Sequence, residues 1–248
     1  MKENENLDLY NESYHTDFKY NDENLIGLSF YGHCIKNEIK KNNSKSILSL
    51  GIGHQVVIDV LSNELNYSLE NYDILEGSKI IIDNFKVGEE FKNKINVILT
   101  YFENYQTEKK YDIIEMGFVL EHVDDPEFII NKFKNLLSPS GKMFIAVPNA
   151  TSLHRQIGFH AGYLPSLYEL SEYDLKLGHK TYFDTEMLVK MIENSGLKVN
   201  NKTGIFLKPI TTAQMNTLSW DENVMNALIK LGEKYPEISN SILIETSL

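Results

Sequence analysis

The stretch Ser46-Ile-Leu-Ser-Leu-Gly-Ile-Gly-His54 decides the fold. Residues 47–50 are apolar apart from Ser49, the pattern of a strand buried on both faces. Gly51 and Gly53 follow, and glycines there allow a tight turn and a close approach of backbone to a ligand. A helix predicted over 54–65 would aim its unpaired amide groups back at that ligand. The next apolar run, 72–76, ends in Glu76, a carboxylate able to accept hydrogen bonds from both hydroxyls of a ribose. In that order these pieces describe a pocket for a nucleotide-like ligand.

Outward from this unit the pattern keeps alternating. Strands are expected at 46–50, 72–76, 95–99, 111–116 and 142–147, with helices at 54–65, 78–86 and 126–137. Pro126 suits the first turn of its helix, with Asp124 or Asp125 as the cap. The alternation predicts an α/β fold, a Rossmann-like, doubly wound, mostly parallel sheet with the ligand at the carboxyl ends of its strands. A helix at 185–195 stopped by Gly196, a strand at 197–206, a helix at 221–234 and a strand at 241–246 bring the sheet to about seven strands, the last antiparallel.

Two segments break the alternation. Residues 149–183 scatter His, Tyr, Arg and Gly without a long strand, which reads as a substrate lid. Residues 1–20 are polar yet carry Tyr10, Tyr14, His15, Phe18 and Tyr20, as either a flap that folds onto the site or a loosely packed terminus. An amphipathic helix over 22–42 follows. The expected layout is one domain over 1–248: flap and helix to 45, ligand-binding core at 46–148, lid at 149–183, and the rest of the sheet at 184–248.

Bulk composition narrows the partners. The 248 residues hold 24 Lys and Arg against 35 Asp and Glu, a net charge of −11. Such a chain repels phosphate backbones and anionic lipid, so neither nucleic acid nor membrane is expected as a partner. The single cysteine, Cys34, allows no intramolecular disulfide and suits a reducing compartment. With no signal-like N-terminus and no apolar run of about 20 residues, the expectation is a cytoplasmic monomer or homodimer acting on a small polar substrate.

By this point the chain resembles the class I S-adenosylmethionine-dependent methyltransferases over roughly residues 46–206. In that family the first strand and turn commonly read hydrophobic, hydrophobic, acid, hydrophobic, Gly-x-Gly-x-Gly. Here Gly51 and Gly53 match, Ser49 stands for the acid and Gln55 for the third glycine. Glu76 matches the ribose-binding acid. The segment Thr100-Tyr-Phe-Glu103 sits where the family often has Gly-Asp-Ala-Glu, so Tyr101 replaces the Asp that often meets adenine, and either the backbone of this turn or its aromatic rings would hold the adenine. The block at 111–126, with Leu120-Glu-His-Val123, looks like the fourth strand and turn of ubiquinone-type and sugar methyltransferases. The segments 137–148 and 178–184 are similar to the same group. The resemblance implies S-adenosylmethionine as cofactor, yielding S-adenosylhomocysteine. It also implies cofactor contacts at Ser49, Gly51, Gly53, Glu76, Tyr101, Phe102, Met116, Gly117 and Tyr14.

Methyl transfer from a sulfonium is an in-line displacement in which the protein mainly orients the reactants and excludes water. A hydroxyl acceptor also benefits from a base. His122, just past the fourth strand, either meets the acceptor or braces the turn, and His179 is the second catalytic candidate. His154, Arg155, His160 and Tyr163 of the lid are candidate substrate contacts, Arg155 through its fork for phosphate or carboxylate. Asp124 and Asp125 read as helix caps, so no metal is expected. Two other functions compete: a non-catalytic S-adenosylmethionine-binding protein, and a nicotinamide-dependent oxidoreductase, which Val56 opposes by standing where that fingerprint has its third glycine.

Overall fold

The computed structural model describes Leu7 and residues 21–248. Its elements run α1 (Asn21–Asn42), β1 (Ser46–Leu50), α2 (Val56–Tyr67), β2 (Asn71–Glu76), α3 (Lys79–Asn84), β3 (Ile95–Leu99), β4 (Tyr111–Gly117), α4 (Pro126–Lys134) and β5 (Leu137–Pro148). There follow α5 (Leu153–His160), α6 (Glu172–Lys176), α7 (Thr185–Asn194), β6 (Lys198–Ile205), α8 (Thr212–Met215), α9 (Glu222–Lys234) and β7 (Ser241–Ser247). Among the described residues, seven strands form one sheet in the order β3-β2-β1-β4-β5-β7-β6. Only β7 is antiparallel to its neighbours β5 and β6. The expected doubly wound sheet is therefore present.

The order reverses at β1, which lies between β2 and β4. Connections leave β1 and β4 in opposite directions, so a crevice opens over their carboxyl ends. Successive residues of β1 serve opposite faces, as the pleat requires. Ile47 packs with Tyr31, Ile35 and Leu61 under α1 and α2, while Leu48 packs with Ile130, Phe133 and Leu188 under α4 and α7. All of these are fully buried, each aliphatic one contributing about 1.5–3 kcal/mol.

Several boundaries differ from the sequence expectation, most by a residue or two. The helix after the glycine turn begins at Val56, because Gln55 adopts a left-handed backbone at φ 62° as its N-cap. The boundary between α4 and β5 also moves earlier: α4 stops at Lys134 and β5 starts at Leu137. There the register with β4 shifts between Tyr111 and Ile113. Gly141 permits this approach, since a Cβ there would lie 2.7 Å from the Tyr111 carbonyl oxygen. The lid holds two short helices, α5 and α6, that its scattered composition did not signal. The N-terminal flap lies outside the described residues apart from Leu7. Among the described residues no helix is long and apolar enough to cross a membrane.

Candidate functional site

The crevice is a cavity of about 560 Å³ that runs from the β1 turn to the lid. At the β1 end Gly51 and Gly53 line it, with φ of 93° and 60°. A Cβ on either would meet no atom within 4 Å, so both glycines leave open space above the backbone. Gly51 N–H donates to Leu75 O at 2.8 Å, which fixes the turn to β2. Gln55, at the third glycine position, keeps a glycine-like backbone and accepts a hydrogen bond from Lys86 N at 3.1 Å. The conformation survives although the residue does not.

Glu76 also lines this end. Its two oxygens accept from Ile52 N at 3.2 Å and Ser78 N at 2.8 Å, so it ties the glycine turn to the end of β2. Burial raises its pKa, against the pull of those amides. Phe102, Gly117 and Phe118 complete the wall. Open glycines facing a buried carboxylate and aromatic rings fit the methionine, ribose and adenine parts of S-adenosylmethionine.

Not every expected cofactor contact reaches this cavity. Tyr101 lines a neighbouring pocket with Gly77 and Asn104. Met116 is wholly buried in the core beside Leu48 and Ile114, because its side chain points away from the crevice. Ser49 is also buried, below the turn, where its Oγ lies 2.8 Å from Gly51 O. Tyr14 lies outside the described residues.

The opposite end gathers residues from four separate segments. His122 and His179 both line it, their rings edge to face at 4.8 Å. Burial first, then the nearby His179, lowers the pKa of His122 to about 3, so it is neutral near pH 7. Its ring is within hydrogen-bonding reach of the Gly178 and Leu177 backbone. His179 Nδ1 stands 3.4 Å from Asp174 Oδ1, in ion-pairing reach but without hydrogen-bond geometry. Asp174 accepts from Ser171 N at 2.7 Å and from Tyr182 OH at 3.0 Å. Against burial, the adjacent His179 first and then the Ser171 side chain and amide hold its carboxyl well below the usual range. Glu121 is 1 % exposed, and one of its oxygens has no partner among the described residues. Burial lifts its pKa to about 7.

Such a group can accept a proton from a hydroxyl. Glu121, His122 and His179 also offer ligand atoms all within 4.8 Å of one another, a donor set that suits a divalent ion. The two aspartates behind the no-metal expectation lie elsewhere. Asp125 caps α4 through Phe128 N at 2.9 Å, and Asp124 meets Lys180 at 2.8 Å.

The lid candidates divide. His154 lines the cavity, and its buried Nδ1 has no partner among the described residues. Arg155 lines it too, but its guanidinium is spent on Leu167 O at 2.9–3.0 Å and Glu169 O at 2.6 Å and stacks 4.1 Å over Tyr182. These bonds tie α5 to the 167–169 stretch. Tyr163 sits at the rim and is 84 % exposed. His160 packs on Phe159 and does not line the cavity.

Sequence reading missed several lining residues. Asp174 had a readable signal, since Ser171-Glu-Tyr-Asp174 is a capping-box pattern, which α6 uses. Glu23, Lys208 and Asn240 had none. Lys208, 5 % exposed, donates to Glu23 at 2.8 and 2.9 Å, and Asn240 donates to Glu23 at 2.8 Å, across more than 180 residues of chain.

Comparison with known proteins agrees with this architecture. A family model described as a methyltransferase domain matches residues 30–202. The ubiquinone biosynthesis O-methyltransferase of Aeromonas salmonicida (strain A449) is 27% identical over 126 residues, 50% of this chain and 51% of that protein. The chain thus spans about half the length of the curated relatives it matches. A chain of a Haloferax volcanii complex containing the Trm112 methyltransferase activator aligns with a TM-score of 0.60 at 13% identity, covering 97% of both chains. The N-methyltransferase NodS of Bradyrhizobium japonicum WM9, solved with S-adenosyl-L-homocysteine, aligns with a TM-score of 0.55 at 11% identity, covering 96% of this chain and 97% of that one. At these identities the structural likeness speaks for the fold. With the family model matching well over half of its length, the chain belongs to the methyltransferase domain family.

Proposed function

We propose that the protein transfers the methyl group of S-adenosylmethionine to an oxygen or nitrogen of a small polar acceptor. Sugars, sugar nucleotides and phosphorylated amino alcohols, as used in surface-polysaccharide assembly, are the acceptor class. The observation that carries this reading is the single cavity joining the open glycine turn and Glu76 to the His122–His179 pair. When bound, the cofactor supplies the electrophilic methyl. Gly51, Gly53 and Glu76 orient it, and Phe102 and Phe118 exclude water. His179 takes the proton of an acceptor hydroxyl, and the Asp174 carboxylate at 3.4 Å stabilises the resulting imidazolium. An amine acceptor needs no such base and arrives as the free amine.

The polar acceptor class rests on the lining beyond the histidines: Glu23, Lys208, Thr212 and Asn240 form a bonded network there, and His154 keeps an open nitrogen. A second reading, a phenolic acceptor, draws on the name of the Aeromonas salmonicida relative. The test is methyl transfer from labelled cofactor to a panel of sugar nucleotides, amino-alcohol phosphates and catechols. Turnover on the polar members supports the proposal, and turnover on catechols alone overturns its acceptor class. Cofactor binding without any transfer supports a non-catalytic binding protein. Repeating the panel with chelator and with added magnesium separates action by the histidine nitrogens from action through an ion.

A further inference from the structure

Directly beneath the glycine turn lies a buried carboxyl that the reaction above does not use. Glu115 of β4 is the register partner of Ser49 on β1, so both side chains leave the same face of the sheet. Glu115 is 5 % exposed. Around it stand Ser49 from β1, Tyr72 from β2, Tyr31 from α1 and the Gly117 amide. Tyr72 OH donates to Glu115 Oε1 at 3.3 Å. The Tyr31 hydroxyl has two acceptors in reach, Phe144 O at 3.0 Å and Glu115. The hydroxyls of Tyr31 and Tyr72 are both held protonated by burial.

Ser49 is the link to the cofactor turn. Its Oγ lies 2.8 Å from Gly51 O and also hydrogen-bonds Glu115 Oε1. A serine hydroxyl carries one proton, and here two oxygens compete for it. An ionised carboxylate is the stronger acceptor and takes that proton from the carbonyl. A neutral carboxyl instead donates to Ser49 Oγ and leaves the serine proton on Gly51 O. Gly51 is then held at both ends, by Leu75 O on its amide and by Ser49 on its carbonyl.

We propose that Glu115 is a positioning residue of the cofactor turn, acting through Ser49 on the Gly51 carbonyl, and that its neutral form is the one that holds the turn for S-adenosylmethionine. This inference rests on the cofactor assignment above. Burial lifts the Glu115 pKa to about 7, so the fraction able to hold the turn falls as pH rises through neutrality.

The test is calorimetric titration of S-adenosylhomocysteine into the full chain from about pH 6 to about pH 8.5, for wild type, Glu115→Gln and Ser49→Ala. A glutamine amide donates to Ser49 at every pH, so this variant should lose the pH dependence. Wild-type affinity should fall several-fold, up to about tenfold, across the range. Ser49→Ala should bind about tenfold more weakly at low pH and show a flat profile. The same pH slope in wild type and Glu115→Gln overturns the proposal, as does wild-type affinity in a folded Ser49→Ala protein. If Glu115→Gln does not fold, the wild-type and Ser49→Ala profiles decide alone: parallel slopes overturn it and divergent slopes support it. Absence of binding by wild type at every pH would instead overturn the cofactor assignment.

Discussion

At the β1 end of the cavity the fixed groups come from short, adjacent stretches of chain: Gly51, Gly53, Glu76 and Phe102 sit at the tips of β1, β2 and β3. At the lid end they come from afar: Glu23, His122, His154, Asp174, His179, Lys208 and Asn240 are brought together by α1, the β4–α4 turn, the lid and the β6–β7 edge. The first end is mostly backbone held by a sheet. The second is mostly side chains holding one another, as in the Glu23–Lys208–Asn240 network. A backbone cradle suits a ligand shared by a whole family, whereas a side-chain cluster is free to change with the acceptor.

If the two ends have separate tasks, substitutions should divide the same way. The largest effect is expected from His179→Ala, with turnover about 10²-fold lower or more. A steady-state assay with saturating cofactor checks it, and a loss under fivefold would remove His179 from the chemistry. Next, Glu76→Ala should weaken S-adenosylhomocysteine binding by about 1.5–3 kcal/mol, since Glu76 also ties Ile52 to Ser78. Unchanged affinity by calorimetry would show that another group meets the ribose.

Asp174→Asn comes third and sharpens the lid half. The reaction rate kcat should fall about tenfold with little change in the cofactor KM. Stability gives an independent readout. The Asp174 carboxyl is held below its usual value in the folded protein, so its contribution is present above about pH 4 and lost as pH falls further. The melting-temperature gap between wild type and variant should therefore close in acid. A gap that persists there would assign Asp174 a packing role only. The smallest effect is Gln55→Gly. Relief of the left-handed backbone, about 1 kcal/mol, is offset by loss of the bond to Lys86 N. Stability should stay within about 1 kcal/mol of wild type, and a larger loss by denaturant titration would show that the Gln55 side chain matters more than its backbone.

The same division explains what could be read from sequence. Local periodicity announced β1, β2, the glycine turn and Glu76, because each depends on neighbours within a few residues. Alternation along β4 puts the Met116 side chain in the core and Gly117 at the crevice, which depends on which face the sheet turns to the ligand. His160 and Arg155 looked equally available by residue type. Only tertiary contacts reveal that one packs outside on Phe159 and the other is spent on lid carbonyls. Glu115 could not be paired with Ser49 before the β1–β4 register was known. Lys208 and Glu23 meet only because β6 and α1 flank the same crevice mouth.

The claim that the cofactor cradle and the acceptor cluster work separately is tested most directly by the S-adenosylhomocysteine affinity of His179→Ala. The account predicts an affinity within about twofold of wild type in a protein that has lost nearly all turnover. An affinity loss as large as the loss of turnover would contradict it and would make His179 part of the cofactor site.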